Sequence, residues 1–141
     1  MRVLKYLSFV FMVVAVVGFY QSSLLHLNTI LYPAQAVSKN WWLSWGLFIV
    51  WIPAVFASRK LEENSSEQDS WKIIFKSRWV EFIILGLFAY GFIHYFFCWF
   101  TLLFGKGDSV FFDYWRIRGN SGATIPWYAT AAVILYSFWR S

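Results

Sequence analysis

The sequence predicts an all-α, polytopic membrane protein with four transmembrane helices in a small bundle, and three observations support this fold class. Hydrophobic residues make up 60% of the chain and charged residues only 13%, whereas an ordinary soluble domain is about 25% charged. Ten of the charged residues fall within residues 59–81, so the rest of the chain is nearly uncharged. A length of 141 residues accommodates a single membrane domain of about four spans and excludes a large catalytic domain.

The first span is predicted at residues 6–27, a long apolar run with few polar interruptions. Its small and polar residues recur at spacings of seven, seven and four, which places them on one face of a helix. Such a face lets a second helix approach closely in a bilayer. The predicted small-residue seam consists of Ser8, Ala15, Ser22 and His26.

A cleaved signal peptide is the alternative for this first segment. It has a basic start, an apolar run and the A-x-A sequence Ala34-Gln35-Ala36. The apolar run ends at Tyr20, however, which lies 16 residues before Ala36 and is too far away for the usual cleavage geometry. We therefore expect an uncleaved membrane anchor.

The second span is predicted at residues 41–58, with a tryptophan-rich start typical of the membrane interface and with Pro53 expected to bend the helix. A polar loop follows at residues 59–78. Its end, near residues 70–78, has the pattern of a short amphipathic helix lying on the membrane surface. The apolar face of this helix would carry Trp71, Ile74 and Phe75, and the basic face Lys72 and Lys76.

The third span is predicted at residues 79–104 and is the most informative segment, because it carries a row of polar side chains. These residues follow spacings of four, four and three, so they form one stripe along a helix otherwise covered by Phe, Leu and Ile. The predicted polar stripe consists of Tyr90, His94, Cys98 and Thr101.

The fourth span is predicted at residues 122–139, where Thr124 followed by Pro126 resembles a helix start. Residues 106–118 mix aromatic and arginine side chains, so we expect an interfacial connection there. A tilted or re-entrant last helix is the alternative.

The distribution of Lys and Arg predicts the orientation. With both termini and the loop at residues 59–78 inside, eight of these residues are cytoplasmic and four are outside. The positive-inside rule favours this threading, in a plasma membrane of the bacterial inner-membrane type.

No residue pattern predicts catalysis or a cofactor. The single cysteine excludes an internal disulfide, and the chain has neither a Gly-x-Ser-x-Gly turn nor paired carboxylates within the spans. His94 and Cys98 have metal-ligand spacing, and His26 could join them or pair with His94 around a haem. Zinc and copper sites usually collect more ligands, so we expect neither a metal nor a cofactor.

These patterns favour a non-catalytic accessory, assembly, regulatory or immunity-type protein that acts by intramembrane protein-protein contacts. The expected partners are the lipid bilayer and either another membrane protein or a second copy of the chain. Dispersed basic residues argue against a nucleic acid. The alternative is a small homo-oligomeric transporter or channel with His94 in its polar pathway.

Overall fold

Four long helices make up nearly all of the structure, a computed structural model that describes residues 2–32, 41–63, 72, 74–75 and 77–141. They are α1 (Arg2–Leu31), α2 (Trp41–Glu63), α3 (Arg78–Phe104) and α4 (Ser109–Arg140). The described residues form no strand. The prediction of an all-helical protein with four long helices is therefore confirmed.

Helices α1, α2 and α3 are long and apolar enough to cross a membrane, whereas α4 does not reach that level of hydropathy. The difference follows from position, because α4 lies at the centre and packs against each of the other three helices. Thirteen of its 32 residues are buried, against three of 27 in α3. A helix that packs against three others needs fewer large lipid-facing side chains, and α4 contains many Gly, Ser, Thr and Ala residues.

The sequence suggested a helix start near Thr124, but α4 begins at Ser109. The carboxylate of Asp108 accepts a hydrogen bond of 3.0 Å from the backbone N–H of Phe111 and caps the helix. Pro126 lies inside the helix, where it removes the donor that would otherwise bond the carbonyl of Gly122. The expected interfacial connection at residues 106–118 is therefore helical from Ser109 onward.

The apolar core lies between α1, α2 and α4, with Tyr128 of α4 at its centre. The phenol of Tyr128 is 1% exposed and donates a 2.5 Å hydrogen bond to the carbonyl of Leu43 on α2. Gly18 on α1 and Gly46 on α2 leave room for this ring. Towards the C-terminal end of α4 the core is formed by Ala15, Val50, Ala54, Ala131, Ile134, Leu135 and Phe138.

Part of the predicted surface helix packs against the C-terminal end of α4. Phe75 is buried, and the hydroxyl of Ser137 donates a 2.9 Å hydrogen bond to the carbonyl of Ile74. Lys72 is exposed. Trp71 and Lys76 lie outside the described residues, as does the A-x-A sequence at residues 34–36.

Candidate functional site

A cluster of polar side chains lies where α1, α3 and α4 meet. His26 of α1 is its centre and is only 5% exposed. Its Nε2 atom lies 2.6 Å from the hydroxyl of Tyr90 on α3, and its Nδ1 atom lies 3.2 Å from Oγ of Ser121 on α4. The imidazole therefore connects all three helices through hydrogen bonds.

The hydrogen bonds of the cluster are consistent with one neutral tautomer of His26. Ser121 has a single hydroxyl proton, which it donates to the carbonyl of Arg118 at 3.1 Å. Nδ1 of His26 must then donate to Ser121, and Nε2 accepts the proton of Tyr90. In this arrangement both ring nitrogens of His26 are satisfied.

His94 packs beside His26 in the same cluster. The two rings meet edge to face, with centroids 4.7 Å apart and an interplanar angle of 89°. His94 also stacks on Tyr90, and its Nε2 atom lies 3.4 Å from the thiol sulfur of Cys98, which is 1% exposed. Three members of the predicted polar stripe thus come together on one side of α3.

Two glycines of α4 provide the space for these rings. A Cβ atom at Gly122 would lie 2.8 Å from Cε1 of His26 and 3.1 Å from Cδ2 of His94, and one at Gly119 would lie 3.0 Å from Cβ of Cys98. Sequence reasoning missed both glycines, although their spacing of three beside Ser121 is a small-residue pattern typical of close helix contacts.

Thr101 does not join the polar cluster, although it shares the stripe with the other three residues. Its hydroxyl donates a 2.9 Å hydrogen bond to the carbonyl of Phe97 on its own helix. The interhelical part of the stripe therefore ends at Cys98.

All four residues of the predicted small-residue seam on α1 are buried. The hydroxyl of Ser8 donates a 2.8 Å hydrogen bond to the carbonyl of Leu135, and Oγ1 of Thr124 lies 3.0 Å from Oγ of Ser22. Both partners are on α4, so the seam faces that helix. Gly18 and Thr29 extend the buried face, and the sequence reasoning missed them although each lies three positions after a seam residue.

Arg118 adds a positive charge at the edge of the cluster, and sequence reasoning did not single it out. Its Nη1 atom donates a 2.9 Å hydrogen bond to the hydroxyl of Tyr114, and its guanidinium lies 5.1 Å from the ring centre of Trp115. The Nε–H group of Arg118 is buried and has no acceptor among the described residues.

The geometry of the cluster does not form a metal or haem site. Among the described residues, no group of three His, Cys, Asp or Glu side chains is arranged to hold a metal ion. The edge-to-face contact of His26 with His94 leaves no gap between the rings for a porphyrin. As arranged, the polar side chains of the cluster connect helices.

Outside the cluster, α3 offers a large apolar surface. Only Ile84, Gly91 and Cys98 of this helix are buried, at a regular spacing of seven. Beside this stripe an apolar groove of about 270 Å³ runs between α3 and α4, with Phe92 and Trp127 among its lining residues. Gly91 lies at its floor, where an added Cβ would come within 3.1 Å of the carbonyl of Gly122.

Comparisons of the chain with protein-family models, with curated proteins and with solved structures found no match.

Proposed function

We propose that this chain is a non-catalytic protein of a bacterial inner membrane that binds another membrane protein through the exposed face of α3. Its role would be that of an accessory, assembly, regulatory or immunity-type subunit. The proposed threading has four spans, with both termini and the connection between α2 and α3 in the cytoplasm, as the distribution of Lys and Arg favours.

The observation that carries this proposal is the small number of buried residues on α3. Only three of its 27 residues are buried, and large apolar side chains, many of them aromatic, form its exposed surface. Phe92 is 66% exposed and Trp79 is 79% exposed. Lipid solvates such a face without specificity, whereas aromatic side chains next to a groove offer a shaped surface for another helix.

The use of the polar groups supports the same proposal. The hydroxyl of Ser8 and the imidazole of His26 are bonded within the bundle, and the imidazole of His94 packs against His26, Tyr90 and Gly122. Catalysis or transport would need polar groups that can reach a substrate. What α3 presents outward is mainly an apolar surface.

Helix α4 suits the role of the fourth span despite its lower hydropathy. It contains 32 residues, about 48 Å at 1.5 Å per residue, which exceeds the roughly 30 Å of a bilayer core. Its polar residues Thr124 and Ser121 are bonded to side chains or carbonyls inside the protein. In a central span of this kind, the polar groups are hydrogen-bonded within the protein and do not face lipid tails.

Site-specific photocrosslinking in native membranes tests the proposal. A benzoylphenylalanine at Phe92 on α3 replaces one aromatic side chain by another, and the same probe at Tyr20 on α1 is the matched control, because Tyr20 is 58% exposed. We expect a discrete protein adduct from position 92 and only lipid adducts from position 20. The protein in the adduct is identified by mass spectrometry. The two proteins are then purified and reconstituted together in liposomes.

The outcomes separate the possible partners. An adduct with a second, differently tagged copy would assign α3 to a homo-oligomer interface. Lipid adducts alone from position 92, or identical adducts from both positions, would contradict a binding role for α3.

The alternative function is a small homo-oligomeric transporter or channel with His94 in its pathway. An ionisable side chain within a span favours this role, but within one chain the polar cluster is followed by the packed apolar core around Tyr128. A pathway would have to form between copies. Flux through liposomes that contain only this protein, abolished by His94→Ala, would establish the transporter.

A further inference from the structure

We propose that Arg118 is the centre of a binding site for the phosphate group of an anionic lipid, at the junction of α1, α3 and α4. This site is separate from the exposed face of α3 and needs only that the chain lies in a bilayer.

The charge of Arg118 has no counter-ion among the described residues. The nearest acidic side chain on its own helix, Asp113, is bonded to Arg116 at 2.7 Å. Asp108 caps the start of α4. The only hydrogen bond described for the guanidinium goes to the neutral hydroxyl of Tyr114. A half-buried cation without an anionic partner is costly, so the site favours an anion from outside the chain.

Two aromatic side chains hold the guanidinium at a point shared by all three helices. The hydroxyl of Tyr114 accepts from Arg118 and donates a 2.8 Å hydrogen bond to the carbonyl of Thr29 on α1. Trp115 contacts both the guanidinium and the ring of Phe97 on α3. This arrangement fixes the side chain before any ligand arrives, which lowers the entropy cost of binding.

The donors that remain match a phosphate oxyanion. A guanidinium carries five N–H groups in a planar fork, of which one is bonded to Tyr114 and a second, on Nε, is buried, so three N–H groups on the two Nη atoms remain. Phosphate and carboxylate oxygens accept two parallel hydrogen bonds from such a fork. The imidazole of His26 is bonded at both nitrogens, to Ser121 and Tyr90, so it does not compete with Arg118 for the ligand.

The position of Arg118 along α4 favours a lipid as the source of that phosphate. It lies nine residues after Ser109, about 14 Å from the start of the helix at 1.5 Å per residue. The intervening turns carry aromatic residues of the type found at the headgroup layer, namely Phe111, Phe112, Tyr114 and Trp115. A long arginine side chain at this depth reaches towards headgroups, and basic sites between membrane helices bind anionic lipids.

Lipid titration of the full-length protein tests the site. The purified chain in micelles of dodecyl maltoside, a neutral detergent without phosphate, is titrated with phosphatidylglycerol, and binding is followed by native mass spectrometry. We expect Arg118→Gln to weaken phosphatidylglycerol binding about tenfold, the loss typical of a charge-assisted hydrogen bond. Arg116→Gln is the matched control, because this exposed arginine is already paired with Asp113, and it should stay within about twofold of the wild type.

A competition with inorganic phosphate and a Tyr114→Phe variant complete the test. Inorganic phosphate at millimolar concentration should not displace the lipid, and displacement would assign the site to a free anion instead. Tyr114→Phe leaves the charge of Arg118 but removes the hydroxyl that positions it, so we expect a smaller loss of lipid affinity than from Arg118→Gln. This variant tests the site even where Arg118→Gln fails to fold. Equal lipid affinity in the wild type and the Arg118→Gln variant would overturn the proposal. Where Arg118→Gln fails to fold, equal affinity in the wild type and the Tyr114→Phe variant would overturn it.

Discussion

The hydroxyl of Tyr90 on α3 lies 2.6 Å from Nε2 of His26 on α1, so the bond joins residues 64 positions apart in the chain. Tyr90 is 44% exposed, whereas His26 is 5% exposed. The phenol therefore covers the outer side of a buried imidazole. This contact couples α3 directly to α1, in addition to the packing of both helices on α4.

Removing this hydroxyl should loosen α3. We expect Tyr90→Phe to lower the free energy of unfolding by about 1 kcal/mol, because interhelical hydrogen bonds in membranes average about 0.6 kcal/mol and reach about 1.7. Tyr95→Phe is the matched control, since Tyr95 is on the same helix, is 40% exposed and has no hydrogen bond among those described. Titration with SDS in mixed micelles measures both. An equal loss in the two variants would contradict the structural role of the bond.

A methyl group at Gly122 should disrupt the polar cluster. Its Cβ would lie 2.8 Å from Cε1 of His26. Because both nitrogens of this imidazole are hydrogen-bonded, the ring cannot move away without disturbing those bonds. Overpacking of this kind costs about 1–3 kcal/mol. Gly86→Ala on α3 is the control, because an added Cβ there meets nothing within 4 Å, and it should be neutral or slightly stabilising. The same SDS titration compares the two, and equal stability would contradict the close packing at Gly122.

The sequence was informative about helix faces because the helical period determines which residues lie together. The seam on α1 and the cluster formed by Tyr90, His94 and Cys98 could both be located in this way. The sequence could not indicate which helix each face meets, because lipid and protein interior are similarly apolar and hydropathy does not distinguish them.

The same limit explains the start of α4. Residues 106–118 resemble an interfacial connection because they mix aromatic and charged side chains. The helix nevertheless begins at Ser109, where the carboxylate of Asp108 satisfies a free N–H group. Thr124 and Pro126 have the residue types of a helix start but occupy buried positions within the helix.

The contact between Gly18 and Tyr128 should appear as a coupled pair. A Cβ at Gly18 would lie 2.3 Å from Cε1 of Tyr128, so Gly18→Ala alone must displace a large buried ring. We expect a loss of about 1–3 kcal/mol from overpacking. Tyr128→Leu makes room but also loses the bond to the carbonyl of Leu43. The double variant should be more stable than the sum of the single losses predicts, by about 0.5–3 kcal/mol, and strict additivity in SDS titration would contradict the contact.

Labelling of single cysteines tests the threading and the fourth span together. In a Cys98→Ser background, cysteines replace the exposed residues Glu62, Lys106 and Ser141 one at a time. A membrane-impermeant maleimide should label position 106 in intact cells, because the end of α3 and the start of α4 face outward in the proposed threading.

Positions 62 and 141 should react only after permeabilisation, since α2 ends in the cytoplasm and α4 returns the C-terminus to the same side. Labelling of position 141 in intact cells, with position 62 still protected, would show that α4 does not cross the membrane. Labelling of position 62 with protection of position 106 would reverse the orientation of the whole chain. Because α4 packs against each of the other three helices, its modest hydropathy suits a central, partly buried span, and we expect position 141 to be protected in intact cells like position 62.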